Sequence, residues 1–263
     1  MSTYSGITSF NYKNVTWITW SAVDKVKDSS YVMIAEWDGS SIKNISSIQL
    51  KAIPPAAFAL PNQINIQFES GNPYLYVVLN GNNQLLKINF TTKQIMWTAN
   101  TGNAPFGLCI INNKAYVTNW AGSLVTDSTK EYAGMPWGSA YTDPVTGATK
   151  QGSLSVIDVN NGTSINELQL GLHPNAIVSS PDKHFLYVAN GNSDYISVID
   201  VNEEKVIDSI EAGLFSRHYA YYGSSPNALL IDSSGTTLYV ANGLDNAIAV
   251  IKLGKNVSFK RRG

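Results

Sequence analysis

The sequence is poor in charge and has a single cysteine, and both shortages narrow what the protein can be. Charged residues make up 14 % of the 263 residues and the formal net charge is −1. There is therefore no basic field to hold a nucleic-acid backbone, and nucleic acid is not an expected partner. Cys109 cannot form a disulfide within the chain, and its apolar setting, FGLCII, predicts a buried and inert thiol.

Long apolar runs and local catalytic motifs are also missing. No apolar stretch approaches the ~18 residues of a membrane helix, and the N-terminus lacks the pattern of a signal peptide. The three histidines are scattered, and there is no H-E-x-x-H, C-x-x-C, P-loop or G-x-S-x-G motif. We therefore expect no metal and no cofactor and assign no catalytic residue. Because enzymes also assemble sites from distant segments, this absence weighs little against catalysis.

What the sequence has instead is a repeat. The pair Tyr-Val recurs as YVVLN at 76–80, YVTNW at 116–120, and YVANG at 187–191 and again at 239–243, with a weaker copy, YVMIAEW, from Tyr31. The successive spacings are 45, 40, 71 and 52 residues. A period of about 40–45 residues with two insertions explains all of them, and this is the length of a four-stranded propeller blade.

Each copy has the same internal order of strands. An apolar first strand such as NAIVSS is followed by the Tyr-Val strand, a third strand such as ISVIDV and a fourth such as KVIDSIE. The runs are rich in β-branched and aromatic residues, and FLYVAN is apolar at nearly every position, as expected for a strand covered on both faces. We predict an all-β fold without helices, a β-propeller of four-stranded antiparallel blades. About five blades fit in this chain, either as a complete ring or as part of a ring of seven.

The copies of Y-V-x-N, each placed before a strand like SVID, resemble the YVTN β-propeller repeat. The resemblance is carried by GLHPNAIVSSPDKHFLYVANGNSDYISVIDV and SSPNALLIDSSGTTLYVANGLDNAIAVIKL, and it covers residues 65–254. It implies a single propeller domain with a weak N-terminal blade in 1–64 and a tail at 255–263. The family includes bacterial and archaeal surface-layer and periplasmic proteins, so the resemblance implies the periplasm or the cell surface. It extends to the propeller half of two-part proteins that continue into an alkaline-phosphatase-like domain.

Two insertions indicate where a site would lie. Residues 121–151 interrupt a second-to-third-strand connection and 212–225 a connection between blades, and antiparallel strand order puts both on one face of the ring. These loops, with Phe106 nearby, are rich in aromatic residues, which suit recognition of a protein or a glycan. The candidate ligand-binding residues are Trp120, Tyr132, Trp137, Tyr141, His173, Arg217, His218, Tyr219 and Tyr222. The competing interpretation is that these aromatics only pack their own loops.

Polar residues at the turns have simpler interpretations. We expect Asn80, Asn119, Asn190 and Asn242 to end the Tyr-Val strands and bond backbone groups, and Asp158 and Asp200 to accept turn N–H groups. The carboxylates Asp127, Glu131 and Asp143 share one insertion and could form a glycosidase-like pair or hold Ca²⁺.

Three functions stay open at this point. The leading hypothesis is a non-catalytic propeller outside the cytoplasm that binds a protein or glycan through the insertion face. The alternatives are the propeller portion of a hydrolase, phosphoesterase-linked or lactonase-like, and a structural surface-layer repeat. If blades are missing from the ring, open sheet faces and edges predict oligomers.

Overall fold

The computed structural model describes residues 6–135, 138–213 and 223–254, and the regular elements in these ranges are all β-strands. The strand-forming runs are the Val-, Ile-, Tyr- and Thr-rich segments, in which branched and aromatic side chains favour extended backbone. The described ranges contain no helix of the length and apolarity that would span a bilayer.

Sheets one and two come from the first hundred residues. Sheet one contains β1 (Ile7–Tyr12), β2 (Val15–Asp24), β3 (Ser29–Trp37) and β4 (Ile42–Leu50). Sheet two contains β5 (Pro61–Glu69), β6 (Asn72–Leu79), β7 (Gln84–Asn89) and β8 (Ile95–Asn100). In both, each strand pairs antiparallel with the next strand of the chain.

Sheet three carries a hairpin between its second and third strands. The sheet contains β9 (Pro105–Ile111), β10 (Lys114–Asn119), β13 (Gly152–Asp158) and β14 (Ser164–Leu170). The hairpin consists of β11 (Tyr132–Met135) and β12 (Gly138–Tyr141). Because β10 still pairs directly with β13, the insertion leaves the sheet intact.

Sheets four and five repeat the pattern. Sheet four contains β15 (Pro174–Ser179), β16 (Phe185–Asn190), β17 (Tyr195–Asp200) and β18 (Lys205–Glu211). Sheet five contains β19 (Pro226–Ile231), β20 (Thr237–Asn242) and β21 (Ala247–Lys252). Four sheets thus have four strands and one has three in the described residues, which confirms the predicted all-β architecture of antiparallel blades.

The first sheet differs from its sequence prediction in register. The weak Tyr-Val copy at Tyr31 lies in β3, the third strand, although the pair occupies the second strand in the other sheets. Its partner Ala22 lies in β2, which carries no Tyr-Val pair. The strands β2 and β3 are ten and nine residues long, so spacing alone misplaced the repeat there.

Consecutive sheets pack face to face. We call the face toward the preceding sheet the leading face and the face toward the following sheet the trailing face. Because side chains alternate along a strand, Leu75 and Val77 of β6 pack against sheet one while Tyr76 and Val78 pack against sheet three. Two further hydrophobic clusters join sheets three and four and sheets four and five. Burial on both faces explains the near-continuous apolar runs.

Candidate functional site

The mouth of the propeller is the face onto which both insertions open. We use this name for the face formed by the connections between second and third strands and between successive sheets. The first insertion connects β10 to β13, and the second connects β18 to β19. The opposite face, formed by the first-to-second and third-to-fourth strand turns, is called the rim face.

Backbone hydrogen bonds shape the mouth in the same way in sheets two to five. Each first strand begins with a proline, and the residue before it has a positive φ: Leu60 47°, Ala104 53°, His173 55° and Ser225 50°. The carbonyl of that residue accepts a bond from the amide that follows the second strand, and the preceding carbonyl accepts from the next amide. Because only main-chain groups take part, this frame leaves the side chains at these positions free to differ.

Two frame positions and one position beside the frame are occupied differently at the junction of sheets three and four. Phe106 takes the second position of its first strand, where the other three sheets have Asn62, Asn175 and Asn227. Trp120 follows the second strand at the position of Asn80, Gly191 and Gly243. His173 occupies the position before the proline, where Leu60, Ala104 and Ser225 stand in the other sheets.

These three side chains form one stack. The ring centroids of Phe106 and Trp120 are 4.5 Å apart with an interplanar angle of 25°. Those of Trp120 and His173 are 4.3 Å apart at 24°. All three residues are partly buried, so the stack presents ring surface to the mouth while its remaining surface is packed.

The stack contains a neutral imidazole. Burial lowers the pKa of His173, because removing the ring from water disfavours its charged form. At neutral pH one ring nitrogen is therefore available to accept a proton or a hydrogen bond. Beside it, Trp120 Nε1 is buried and has no hydrogen-bond partner among the described residues.

The first insertion is held at the mouth by hydrogen bonds from sheet three, and Tyr141 bonds within the insertion itself. Asn103 Nδ2 donates to the carbonyls of Ser123 (2.9 Å) and Ser139 (2.8 Å), which holds the hairpin against sheet three. The hydroxyl of Tyr141 accepts bonds from the amides of Thr126 and Asp127, both at 2.9 Å. The interactions with these two residues lower the pKa of Tyr141. Tyr141 thus packs its own loop, as the competing interpretation expects.

Tyr132 is the cross-strand neighbour of Tyr141 in the hairpin and is 44 % exposed. Its ring is therefore accessible on the insertion. Within the described ranges its ring makes no ring-to-ring contact with Phe106, Trp120 or His173. The structure does not test whether Tyr132 binds a ligand, and that role stays a prediction.

The carboxylates of the first insertion are engaged in local turns. Asp127 accepts bonds from the amide and hydroxyl of Thr129, and Asp143 accepts from Val145 and Thr146. These bonds lower the pKa of both carboxyl groups. In the described part of the chain there is no group of three or more His, Cys, Asp or Glu side chains that could hold a metal ion. Neither a Ca²⁺ site nor a glycosidase-like pair gains support from Asp127, Glu131 and Asp143.

The second insertion is anchored by Asp194. Its carboxylate oxygen accepts bonds from the amides of Ser224 (2.8 Å) and Ser225 (2.9 Å), and its carbonyl accepts from Ala212. Both ends of the insertion are thereby held at the mouth beside sheet four. Five predicted site residues lie outside the described residues, and their roles stay predictions: Trp137, Arg217, His218, Tyr219 and Tyr222.

The turn asparagines behave mostly as predicted. Backbone carbonyls accept from Asn80 (Pro105 O), Asn190 (Tyr195 O) and Asn242 (Ala212 O). Asn119 instead donates to the hydroxyls of Ser153 and Ser155. Asn80 lies one residue beyond β6, so it does not end its strand as the other three do.

The prediction for two turn carboxylates is confirmed, because Asp158 and Asp200 accept bonds from the amides of the turns that follow them. Cys109 is only partly buried, which corrects the prediction of a buried thiol. Its partial removal from water still raises its pKa to about 11, which makes the thiol a poor nucleophile.

Sequence comparison adds a family likeness over part of the chain. A family model described as "Lactonase, 7-bladed beta-propeller" matches residues 147–258, which is less than half of the sequence. The match includes His173 and most of sheets three to five. No curated protein matches the chain.

Structure comparison supports the fold. A crystal structure of a candidate 6-phosphogluconolactonase from Bacteroides uniformis has a TM-score of 0.61 and 15 % identity over 94 % of this chain and 66 % of its own. The β-propeller domain of Cps50 (Swd1) from Myceliophteria thermophila has a TM-score of 0.57 and 12 % identity over 97 % of this chain and 67 % of its own. The chain thus spans about two thirds of each. At these identities the likeness concerns the fold alone. It supports a β-propeller and does not single out the YVTN repeat.

Proposed function

We propose that this chain forms the substrate-binding part of a lactonase-like hydrolase, with a small lactone bound at the mouth beside sheets three and four. The observation that carries the proposal is the lactonase match over residues 147–258, which contain His173 and all of sheet four, while Phe106 and Trp120 precede the matched segment. The comparisons give no support to a non-catalytic binding module, which was the leading hypothesis from the sequence. They favour the hydrolase alternative.

The chemistry of a lactone fits the groups at the stack. A lactone is a cyclic ester, so its hydrolysis adds water to the carbonyl carbon and breaks the ring C–O bond. A neutral imidazole positioned beside the substrate takes the proton from the attacking water and returns it to the leaving oxygen. His173 is the described residue at the mouth whose environment keeps it neutral. The ring of Phe106 offers an apolar surface for the carbon skeleton of the substrate.

The comparisons suggest which lactones to test first. One structural neighbour is described as a 6-phosphogluconolactonase, so a phosphorylated sugar lactone is the first compound to test. The same sugar lactone without phosphate is the second, and a simple alkyl δ-lactone is the third. Ordering the three rates shows whether phosphate, hydroxyl groups or the ester alone is recognised.

The test is a hydrolysis assay on the purified chain in a pH-stat. We expect at least one lactone to be hydrolysed faster than in buffer, and His173→Gln to lower kcat about a hundredfold or more. The matched control is His184→Gln, because His184 is exposed in a rim-face turn and its loss should leave the rate unchanged. Phe106→Asn restores the residue found in the other sheets and should raise KM more than it lowers kcat.

The pH dependence gives an independent check. Because burial lowers the pKa of His173, the imidazole should stay unprotonated below the usual histidine range. Activity should therefore hold through neutral pH and fall only on the acid side of that range. Binding of all three lactones without any turnover would overturn the hydrolase and restore the binding module. Full activity in His173→Gln would remove the assigned base and leave the lactonase proposal standing.

Two sequence predictions remain proposals of their own. Residence in the periplasm or at the cell surface rests on the repeat resemblance, and a protein or glycan partner rests on the aromatic residues of the two insertions. Fractionation of cells that produce the protein tests the first, and a pull-down with the insertion face altered at Tyr132 tests the second.

A further inference from the structure

The rim face carries the same turn between third and fourth strands in sheets two, three and four. A side-chain oxygen of Asn89, Asp158 or Asp200 accepts the amide two residues on. Four residues after each cap, the chain reaches a position with positive φ, occupied by Lys93 (59°), Gly162 (75°) and Glu204 (49°). This position points toward the junction with the preceding sheet.

Two of the three junctions are closed at this position. Glu204 of sheet four forms an ion pair with Lys114 of sheet three and accepts from Asn166 Nδ2 at 3.3 Å. Gly162 of sheet three lies against the indole of Trp97, where an added Cβ would come within 2.9 Å. Trp97 Nε1 also donates to the carbonyl of Val159 at 3.0 Å. The Lys114–Glu204 ion pair therefore fills the junction of sheets three and four, and the indole of Trp97 fills the junction of sheets two and three.

The junction of sheets one and two remains open. Lys93 has no ion pair or hydrogen bond from its ammonium group within the described residues. A cleft of about 390 Å³ lies beside it, which we call the rim cleft. Its walls are apolar and aromatic, and they include Trp17, Phe90, Tyr12 and Ile34. The rings of Trp17 and Phe90 meet edge to face, with centroids 5.0 Å apart.

The charges at the entrance favour an anion. Lys13 stands on the opposite side of the cleft in the turn between β1 and β2, with its ammonium 5.1 Å from the ring centroid of Tyr12. The single carboxylate among the lining residues is Glu36, which accepts a bond from Asn44 Nδ2 at 2.8 Å. Two lysines that have no carboxylate partner among the residues the structure describes therefore face one carboxylate that is already bonded.

We propose that the rim cleft is a binding site for a small carboxylate with a flat apolar or aromatic body. The rings of Trp17 and Phe90 touch each other, so the apolar body would lie along the wall that they form with Tyr12, and the carboxylate would meet Lys13 and Lys93. Aromatic walls bind a flat apolar group over a large area, and an ammonium pair orients a carboxylate at the solvent edge. The site lies on the face opposite the mouth, so its ligand is distinct from the lactone proposed there.

The test compares three probes with one ring system and different charges. Isothermal titration calorimetry with 2-naphthoate, 2-naphthylmethanol and 2-naphthylmethylamine separates the apolar term from the charge term. We expect 2-naphthoate to bind best and its affinity to fall as salt is added. The double variant Lys13→Gln and Lys93→Gln should weaken 2-naphthoate by about five- to tenfold and leave the neutral probe unchanged.

Two variants complete the design. The control double variant Lys25→Gln and Lys27→Gln removes the same amount of charge at the mouth end of sheet one, in the turn between β2 and β3, and it should bind 2-naphthoate as the parent does. Ser46→Phe fills the cleft and should abolish binding of all three probes without loss of folding. Equal affinity for the three probes, equal effects of the two lysine doubles, or no binding of 2-naphthoate at millimolar concentration would each overturn the proposal.

Discussion

Sheets four and five are near copies of each other, yet the same face is covered in one and open in the other. On the trailing face of sheet four, Tyr187, Ile196 and Val198 are 5 %, 0 % and 1 % exposed. The matching residues of sheet five, 52 positions later, are Tyr239, Ile248 and Val250, at 37 %, 67 % and 58 %. In the described part of the chain no sheet follows sheet five.

The difference shows that a blade has an apolar trailing face whether or not another sheet packs against that face. Local sequence builds the sheet and its two apolar faces, and only the next blade buries the trailing face. Leu230, also on this face, is 64 % exposed, so the open surface is contiguous and apolar. Such an exposed apolar surface promotes association through this face.

The largest difference in the free energy of unfolding should come from placing a lysine at the equivalent positions Val198 and Val250. Val198→Lys buries an unpaired ammonium and should lower the free energy of unfolding by about 4 kcal/mol or more. Val250→Lys puts the same charge in solvent and should change it by less than about 0.5 kcal/mol. Urea denaturation followed by fluorescence measures both.

The same pair also tests association. Light scattering of the unmodified chain should show oligomers, and Val250→Lys should shift it toward the monomer. A stable monomer before the substitution, or equal costs for the two variants, would mean that the face is covered after all.

A medium effect is expected at the turn between second and third strands. Asp194→Gly removes two charge-assisted bonds to Ser224 and Ser225 and should cost about 2 kcal/mol. Asn246, 52 positions on, has the same left-handed backbone with no side-chain hydrogen bond among the described residues. Asn246→Gly should therefore be close to neutral. Glycine accepts positive φ at both sites, so the comparison isolates the side-chain bonds. Matching losses would show that Asp194 does not anchor the insertion.

Single cysteine substitutions perturb the structure least, and their labelling rates compare the exposure of the trailing faces of sheets four and five. Burial raises the pKa of Cys109 to about 11, so the native thiol should react slowly with a disulfide reagent at pH 7.5. A cysteine introduced by Val250→Cys should react about a hundredfold faster, whereas Val198→Cys, at a position only 1 % exposed, should react more slowly than the partly buried Cys109. The labelling is followed by absorbance in folded protein, with urea-unfolded protein as the reference. Labelling of Val198→Cys as fast as that of Val250→Cys would contradict the difference in burial between the two sheets.

The repeat could be predicted from the sequence because the blades bury their two faces with the same residue types at matching strand positions. Tyr187 and Tyr239 stand at matching positions, and the strands around them follow the predicted order. Sheet one was harder to predict. Tyr31 lies in its third strand instead of its second, and β2 and β3 are ten and nine residues long, so the spacing of the repeat does not apply there. Asn80 was placed at a strand end because YVVLN resembles YVANG, but Leu79 is the residue that pairs with the first-strand proline.

The aromatic stack could be predicted only in part. Phe106, Trp120 and His173 were each assigned to the mouth from loop position. Their contact depends on how two sheets meet, and no spacing within one repeat encodes that. An alignment of the repeats contains a usable signal, since aromatic rings stand at three positions in or beside the frame where most of the other sheets have Asn, Gly or a small residue. The residues Trp137 and Arg217 lie outside the described ranges, so their roles remain predictions.

The main-chain frame around the mouth has a consequence for how such a protein changes over time. Each sheet from two to five holds its mouth by a pair of amide-to-carbonyl bonds that no side chain interrupts. A side-chain substitution at one of these frame positions alters what the mouth presents without breaking the main-chain bonds that hold the strands beneath it. New specificities can therefore arise one blade at a time, and a protein designer could move a trio such as Phe106, Trp120 and His173 to another pair of blades.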